Sequence, residues 1–380
     1  MIRHDEGSEP GGQPLLRPVA LGDLELPNRV VMAPLTRARA SVPGLEPTDL
    51  HAVHYGQRAT AGLIVAEGAW VGEGAIGFPG VPGIYRERQV EGWRRVTGLV
   101  HALGGRIVLQ LWHAGAHSHP VHRGGARPAG PSAVDPGEVC WTAAGPRATV
   151  TPREMSRAEI EETVAGYGAA SARARRAGFD GVEVAANGTF LIAQFLNPRL
   201  NRRADGYGAD RGRLLLEVVD AVAAEWDGRR AGVRLSPYWT VRDTSPGARR
   251  ADYPYTAGEA ALAAYDAVVA ELSTRPLAYL HLRGRALPGP GAVPDFDEFA
   301  RYRKLFGGAL VANHGFGRES GNAVVEAGIA DAVSFGRPFI ANPDLVARFA
   351  LGLAVAGVDE STRYGGGARG YVDYPVWAGS

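Results

Sequence analysis

Val182-Glu183-Val184-Ala185-Ala186-Asn187-Gly188-Thr189-Phe190 reads as a buried strand running into a turn. Apart from Glu183, its strand half is apolar on both faces, the pattern of a strand covered on both sides in a parallel sheet. Upstream, Ser156 with Glu159 three residues later is a capping-box pattern that opens a helix. That helix runs to Ala177 and ends at Gly178. The end of such a strand should carry chemistry, yet most side chains there are inert.

The same unit recurs on both sides. Apolar strands are expected at Arg29–Pro34, Leu63–Glu67, Arg106–Leu111, Gly181–Ala185, Gly232–Ser236, Leu277–Leu282, Ala309–Ala312 and Ala332–Phe335. Helical patterns fall between them at Asp49–Ala61, Val90–Leu103, Ser156–Ala177, Arg213–Trp226, Gly258–Leu272, Asp297–Phe306 and Ser320–Ala327, with one more near Pro343–Leu351. This alternation predicts an α/β chain folded as a single (β/α)8 TIM barrel. A doubly wound sheet is the runner-up, but the G-x-G-x-x-G turn expected after an early strand does not appear. A hairpin turning at Gly22-Asp23 precedes the barrel, and a long Gly/Pro-rich lid, Ala114 to about Arg153, follows the third strand. Residues 1–13 are expected to form a disordered tail and 14–380 the barrel domain.

Composition narrows the class. A chain of 380 residues with 45% hydrophobic and 21% charged content has ample core for one large domain. Its net charge of +1 argues against a nucleic-acid partner. Cys140 is the only cysteine, which excludes an intramolecular disulfide and a multi-cysteine metal site. No apolar run approaches the roughly 20 residues of a membrane span. The polar N-terminus lacks a secretory pattern, so a cytoplasmic enzyme, monomeric or homo-oligomeric and acting on a small molecule, is expected.

In a barrel of this kind the active site lies at the C-terminal strand ends. Those positions are Thr36, Gly68, Gln110 to His113, Ala185 to Phe190, Arg234, Ser236, His281, Arg283, Asn313 to Gly315, and Gly336-Arg337. The last two ends are Gly-rich with an arginine, which suits a phosphate monoester. His113, His117, His119 and His122 cluster after the third strand, where a lid role is favoured over a metal site, and no metal is expected. His51 and His54, a turn apart on one helix, read as surface or packing residues. His281 could face a cofactor or be a satisfied barrel residue.

With those residues in view, the chain resembles the Old Yellow Enzyme family of FMN-dependent ene-reductases. The resemblance rests on Met32-Ala33-Pro34-Leu35-Thr36-Arg37, Gly62 to Glu67, Gln110-Leu111-Trp112-His113, Gln194-Phe195-Leu196, Arg234-Leu235-Ser236-Pro237, Phe335 to Leu345, and Tyr364 to Tyr371. It implies FMN as cofactor with NAD(P)H as reductant. Thr36 would then lie near flavin O4, Gln110 at the pyrimidine edge, and Arg234 near N1. Pro34 and Gly68 would offer backbone groups, and Asn313, Gly315, Gly336 and Arg337 would hold the phosphate.

The substrate side departs from the family pattern. Relatives usually place a His, a His or Asn, and a Tyr where this chain has Ala185, Gly188 and Phe190. The first two clamp the substrate carbonyl, and the tyrosine supplies a proton. A shifted alignment would move Asn187 into the second place. Phe78 stands where a tyrosine is expected, and Trp112, Tyr364 and Trp239 remain as cavity walls, with Phe78, Ala185, Asn187, Gly188 and Phe190 facing substrate. Thr36, Trp112 and Tyr364 are the candidate catalytic residues. The resemblance therefore implies an FMN oxidoreductase acting on a hydrophobic substrate, with weak classical enone reduction. The alternatives are a desaturase, oxidase or isomerase of a natural-product intermediate and, behind both, a non-redox flavin scaffold.

Overall fold

Eight parallel strands close on themselves in the computed structural model, which describes residues 12–238, 258–285, 287 and 292–377. They are β1 (Val30–Met32), β2 (Leu63–Trp70), β3 (Ile107–Trp112), β4 (Gly181–Ala186), β5 (Ala231–Leu235), β6 (Tyr279–Arg283), β7 (Ala309–Asn313) and β8 (Ala332–Phe335). Each pairs with its sequence neighbour, and β8 pairs with β1 to complete the barrel. The expected (β/α)8 architecture is present. Helices such as Glu87–Ala102, Arg157–Arg176 and Arg213–Ala223 cover the outside.

The N-terminal hairpin, Val19–Leu21 against Leu24–Leu26, closes the bottom of the barrel. Its leucines Leu21, Leu24 and Leu26 pack with the inward residues Val31, Leu63, Val65, Val108, Tyr279 and Val311. Gly22 turns the hairpin at φ +60, and a Cβ there would stand 2.5 Å from the Ala278 Cα and the Arg229 carbonyl oxygen. Only glycine combines that conformation with that approach. Gln13, expected in the loose tail, is instead fastened by its amide to the Phe349 carbonyl at 3.0 Å.

Two elements differ from expectation. The first helix spans Asp49–Gly56 and stops short of Ala61. Arg58 turns inward there and donates to the Phe339 and Ile340 carbonyls at 2.7 and 2.9 Å. Strand β2 runs on to Trp70 through a bulge: Ala66 faces Leu109 and Ala69 faces Leu111, so Glu67 and Gly68 together oppose Gln110. Such an insertion bends the strand and re-aims its side chains. Among the described residues, no helix is long and apolar enough to cross a membrane.

Candidate functional site

Above the apolar floor, the barrel interior changes character. Glu183 accepts hydrogen bonds from the Gln110 amide and from His281 Nδ1, each at 2.8 Å. His281 Nε2 lies 2.7 Å from the Ser334 hydroxyl. Burial drives the His281 pKa down, so the ring is neutral: Nδ1–H donates to Glu183, and Nε2 accepts from Ser334. His281 is thus a satisfied barrel residue. Burial also opposes the charge of Glu183, but His281, Arg234 and Gln110 together outweigh it and hold the carboxyl below its ordinary pKa. Arg234 donates to Asn313 Oδ1 at 2.9 Å, and Asn313 in turn donates to the Ser334 carbonyl at 3.0 Å.

Two side chains of this tier have polar groups left over. Arg234 Nε is buried with no partner. Gln110 has committed one amide N–H to Glu183, leaving its oxygen and second N–H for another group. A buried donor without a partner costs about 1–3 kcal/mol, so its presence calls for a ligand. Glu183 and Ser334 were not singled out as site residues from sequence, whereas His281 was placed at a strand end with its role left open. The available signal was one polar side chain at a similar height in each of several otherwise apolar strands.

At the end of β4, Ala185 continues the inward face begun by Glu183, and Asn187 closes the strand 92% buried, its Oδ1 without a partner. Gly188 takes φ +66 and donates its N–H to Ser236 Oγ at 2.7 Å. Phe190 then caps the short helix Leu191–Leu196 and stands edge-on to Trp112, ring centroids 4.6 Å apart. Trp112 stacks on Trp70 at 4.3 Å, and its Nε1 is another buried donor without a partner. Gln194 ties this turn to the loop after β3. It donates to the Ala114 and Thr189 carbonyls and accepts from Ala116 N–H.

The histidines after β3 fasten the lid. His117 contacts the Thr189 hydroxyl through Nδ1 at 2.8 Å and also hydrogen-bonds the Val139 backbone. His122 Nε2 holds the Trp141 carbonyl at 2.8 Å. Val139 and Trp141 belong to the lid hairpin Val139–Thr142/Gly145–Ala148, whose Cys140 is buried. Burial lowers the His113 pKa to about 3 and that of His117 to about 4. Among the described residues, no group of three or more His, Cys, Asp or Glu could hold a metal. The hairpin brings Trp141 within 6.3 Å of Phe78, which is itself 5.6 Å from Tyr364. Sequence reasoning missed Trp141, because its distance from β3 along the chain hid this approach.

Tyr364, 44% exposed, rides on a C-terminal strap that crosses the β1 loop. Arg37 donates to the Arg363 and Gly370 carbonyls at 3.0 and 2.7 Å. Arg39 donates to Thr362, Gly367 and Arg369 carbonyls at 2.8, 3.0 and 3.2 Å. Pro34 and Thr36 precede these arginines and are half-buried. Gly68 lies at the β2 bulge, where a Cβ would strike the Trp112 ring at 2.6 Å. His51 and His54, expected as surface or packing residues, are wholly buried under the strap, with His54 stacked on Tyr371 at 4.0 Å.

At the ends of β7 and β8, Gly315 and Gly336 flank the mouth, and the Arg337 side chain is 71% exposed, 3.8 Å from Glu360. His314 is held at φ +90 and Gly315 at +81. Burial and the charges of Arg283, Arg337 and Arg234 push the His314 pKa to about 4. The Asn313 side chain, expected at the phosphate end, is turned into the barrel toward Arg234. Trp239 lies outside the described residues.

Known proteins share this fold. The sequence profile of the NADH:flavin oxidoreductase / NADH oxidase family matches residues 14–355. The flavin oxidoreductase hxnT of Emericella nidulans is 37% identical, covering 96% of this chain and 97% of that one. The 12-oxophytodienoate reductase 1 of Oryza sativa subsp. japonica is 36% identical, covering 95% and 93%. Among solved structures, morphinone reductase is 41% identical with a TM-score of 0.87, covering 96% of each chain. It has also been solved in complex with tetrahydroNAD.

Proposed function

Because the chain belongs to the NADH:flavin oxidoreductase / NADH oxidase family, we propose that it is an FMN enzyme whose substrate side has been rebuilt for a hydrophobic molecule held mainly by shape. Bound FMN supplies the redox centre, with NAD(P)H as the reductant. The protein's part is to seat the cofactor, shape the mouth and place protons.

The residues present fit such a group. The unpartnered Arg234 Nε and the uncommitted half of the Gln110 amide match a planar heterocycle with adjacent acceptors and donors. Pro34, Thr36 and Gly68 would border the ring, and Gly315, Gly336 and Arg337 would hold the phosphate. Asn313 would serve indirectly by orienting Arg234. The Glu183–His281–Ser334 chain underneath fixes Gln110, so the amide is pre-aimed.

The observation that carries the substrate reading is the β4 end. Ala185, Gly188 and Phe190 cannot donate a side-chain hydrogen bond, whereas Trp112, Phe78, Tyr364 and Trp141 supply aromatic surface. Asn187 offers an amide with a buried, unpartnered oxygen. A shape-selective pocket with one polar anchor suits a hydrophobic substrate. Loss of the carbonyl clamp and of the acid each costs on the order of 100-fold in ordinary enone reduction. Tyr364, with a hydroxyl at the mouth, is the candidate proton source, and Trp112 and Thr36 shape the reacting face.

The same missing donors favour a second reading, in which the enzyme runs in another direction, as a desaturase, oxidase or isomerase, since abstraction of hydride from substrate needs neither clamp nor acid. Anaerobic mixing separates the two. NADPH should bleach the flavin, and cyclohexenone should reoxidise it slowly. Rapid reoxidation would sink the rebuilt-site reading, and failure to bleach would favour the oxidative direction. Action in the cytoplasm, as a monomer or homo-oligomer, completes the proposal.

A further inference from the structure

One fully buried carboxylate takes no part in the barrel-interior chain. Glu67 sits at the β2 bulge, immediately before Gly68, and is wholly buried. Its Oε2 accepts the Arg37 backbone N–H at 3.3 Å, and the carboxylate also accepts that of Ala38. Ala38 is held at φ +53, a conformation a non-glycine residue keeps only where its surroundings impose it. From the first helix, the Tyr55 hydroxyl donates to Glu67 Oε1 at 3.4 Å and accepts the Glu67 N–H at 2.9 Å. His51 Nε2 stands 3.6 Å from Oε1.

The loop that Glu67 grips has two clients. On one side it carries Thr36 and Pro34 at the cofactor border. On the other, Arg37 and Arg39 seize five carbonyls of the strap that bears Tyr364.

We propose that Glu67 is a positioning residue of the flavin site: as a carboxylate it locks the Thr36–Ala38 loop and, through Arg37, the C-terminal strap, and on protonation it loosens both. The proposal rests on the cofactor seat described above. The groups facing Glu67 are His51 and Tyr55 from the first helix, Arg37 and Arg39 from the loop, and Tyr371 from the strap.

Their charges leave Glu67 as the responsive member. Burial raises its pKa to about 7, against the two N–H groups and the Arg37 charge that favour the ionised form. Burial holds the His51 pKa near 3, and pushes Tyr55 and Tyr371 well above their ordinary value. A proton arriving on Glu67 takes the charge from two hydrogen bonds of the loop at once and roughly halves the strength of each.

The test uses the FMN-loaded full-length protein and Glu67→Gln, which imitates the protonated form. Amide hydrogen exchange of peptides covering 36–39 and 362–371, corrected for the intrinsic pH dependence, is followed alongside the FMN dissociation constant. In the wild type, protection of both peptides and FMN affinity should fall roughly tenfold as pH drops through about 7, the size of losing about one such bond. Glu67→Gln should sit at the low-pH level throughout, without an inflection. If that variant does not fold, Tyr55→Phe removes the donor to Oε1 and should move the inflection upward. A wild-type strap profile without inflection, an inflection retained in Glu67→Gln, or one unmoved in Tyr55→Phe overturns the proposal. An inflecting strap beside a pH-independent FMN affinity overturns its cofactor half, and with it the seat of the flavin against Thr36, while leaving the grip on the strap standing.

Discussion

Replacing Glu183 interrogates the barrel interior, and two replacements should give different answers for a stated reason. Glu183→Leu keeps roughly the volume but leaves the Gln110 amide and His281 Nδ1–H without their shared acceptor, and the Arg234 guanidinium without the negative charge that faces it. Both replacements remove the negative charge facing Arg234, a loss they share, but the Leu variant also leaves two buried donors unsatisfied, at about 1–3 kcal/mol each. Glu183→Gln loses the charge but has an escape. The new amide oxygen can accept from Gln110, and its NH2 can donate to His281 once that ring moves its proton to Nε2 and donates to Ser334 Oγ, now 2.7 Å away. The Ser334 hydroxyl then points toward the Ala312 carbonyl at 3.5 Å. Beyond the shared charge loss, only about one net hydrogen bond is forfeited, roughly 1–2 kcal/mol. Equilibrium urea unfolding at one fixed FMN concentration measures both, because ligand bound to the native state adds to apparent stability. Equal losses for the two variants would refute the tautomer switch. A Leu variant as stable as wild type would refute the claim that Glu183 is the acceptor joining these groups.

Further outcomes follow from other parts of the site. Ala185→His with Phe190→Tyr should raise the rate of cyclohexenone reduction by about 100-fold or more, read by single-turnover reoxidation; an unchanged rate would mean that other groups limit the step. Trp141→Ala should raise KM for bulky hydrophobic substrates several-fold relative to small ones, with kcat little changed, as expected when shape rather than chemistry is lost; equal effects on both would remove Trp141 from the pocket. His51, His54 and His113 are buried with depressed pKa values, so the unfolded chain binds more protons below about pH 6.5 and stability falls as pH falls through that window. Each contributes a slope of about 1.4 kcal/mol per pH unit, and His113→Gln should lower the measured slope near pH 5 by that amount.

The barrel was legible because its strands are short apolar runs in regular alternation with helices, a pattern set by burial on both faces. The hairpin that plugs the floor was legible too, from Gly22-Asp23. What the one-dimensional pattern could not carry was height within the barrel. Gln110, Glu183, His281 and Ser334 come from four separate strands, and only the stagger of a closed sheet makes them neighbours. Burial of His51 and His54 was hidden for a similar reason: the strap that covers them arrives from some three hundred residues away. Asn313 shows the opposite case, where the residue stands at the strand end but its side chain turns inward to Arg234, an orientation that the sequence does not carry.

The manner in which the strap is held has a bearing on how such a site can diversify. Arg37 and Arg39 bind it through carbonyl oxygens, which every residue type possesses, and so place few demands on the side chains between Thr362 and Gly370 apart from Gly365, Gly366 and Gly370, which sit at positive φ. Substitution of Tyr364 would change what faces the mouth without loosening the attachment. A segment anchored by its main chain is an interchangeable part: lineages, or a laboratory library restricted to these few positions, could retune the entrance while the cofactor cradle stays untouched.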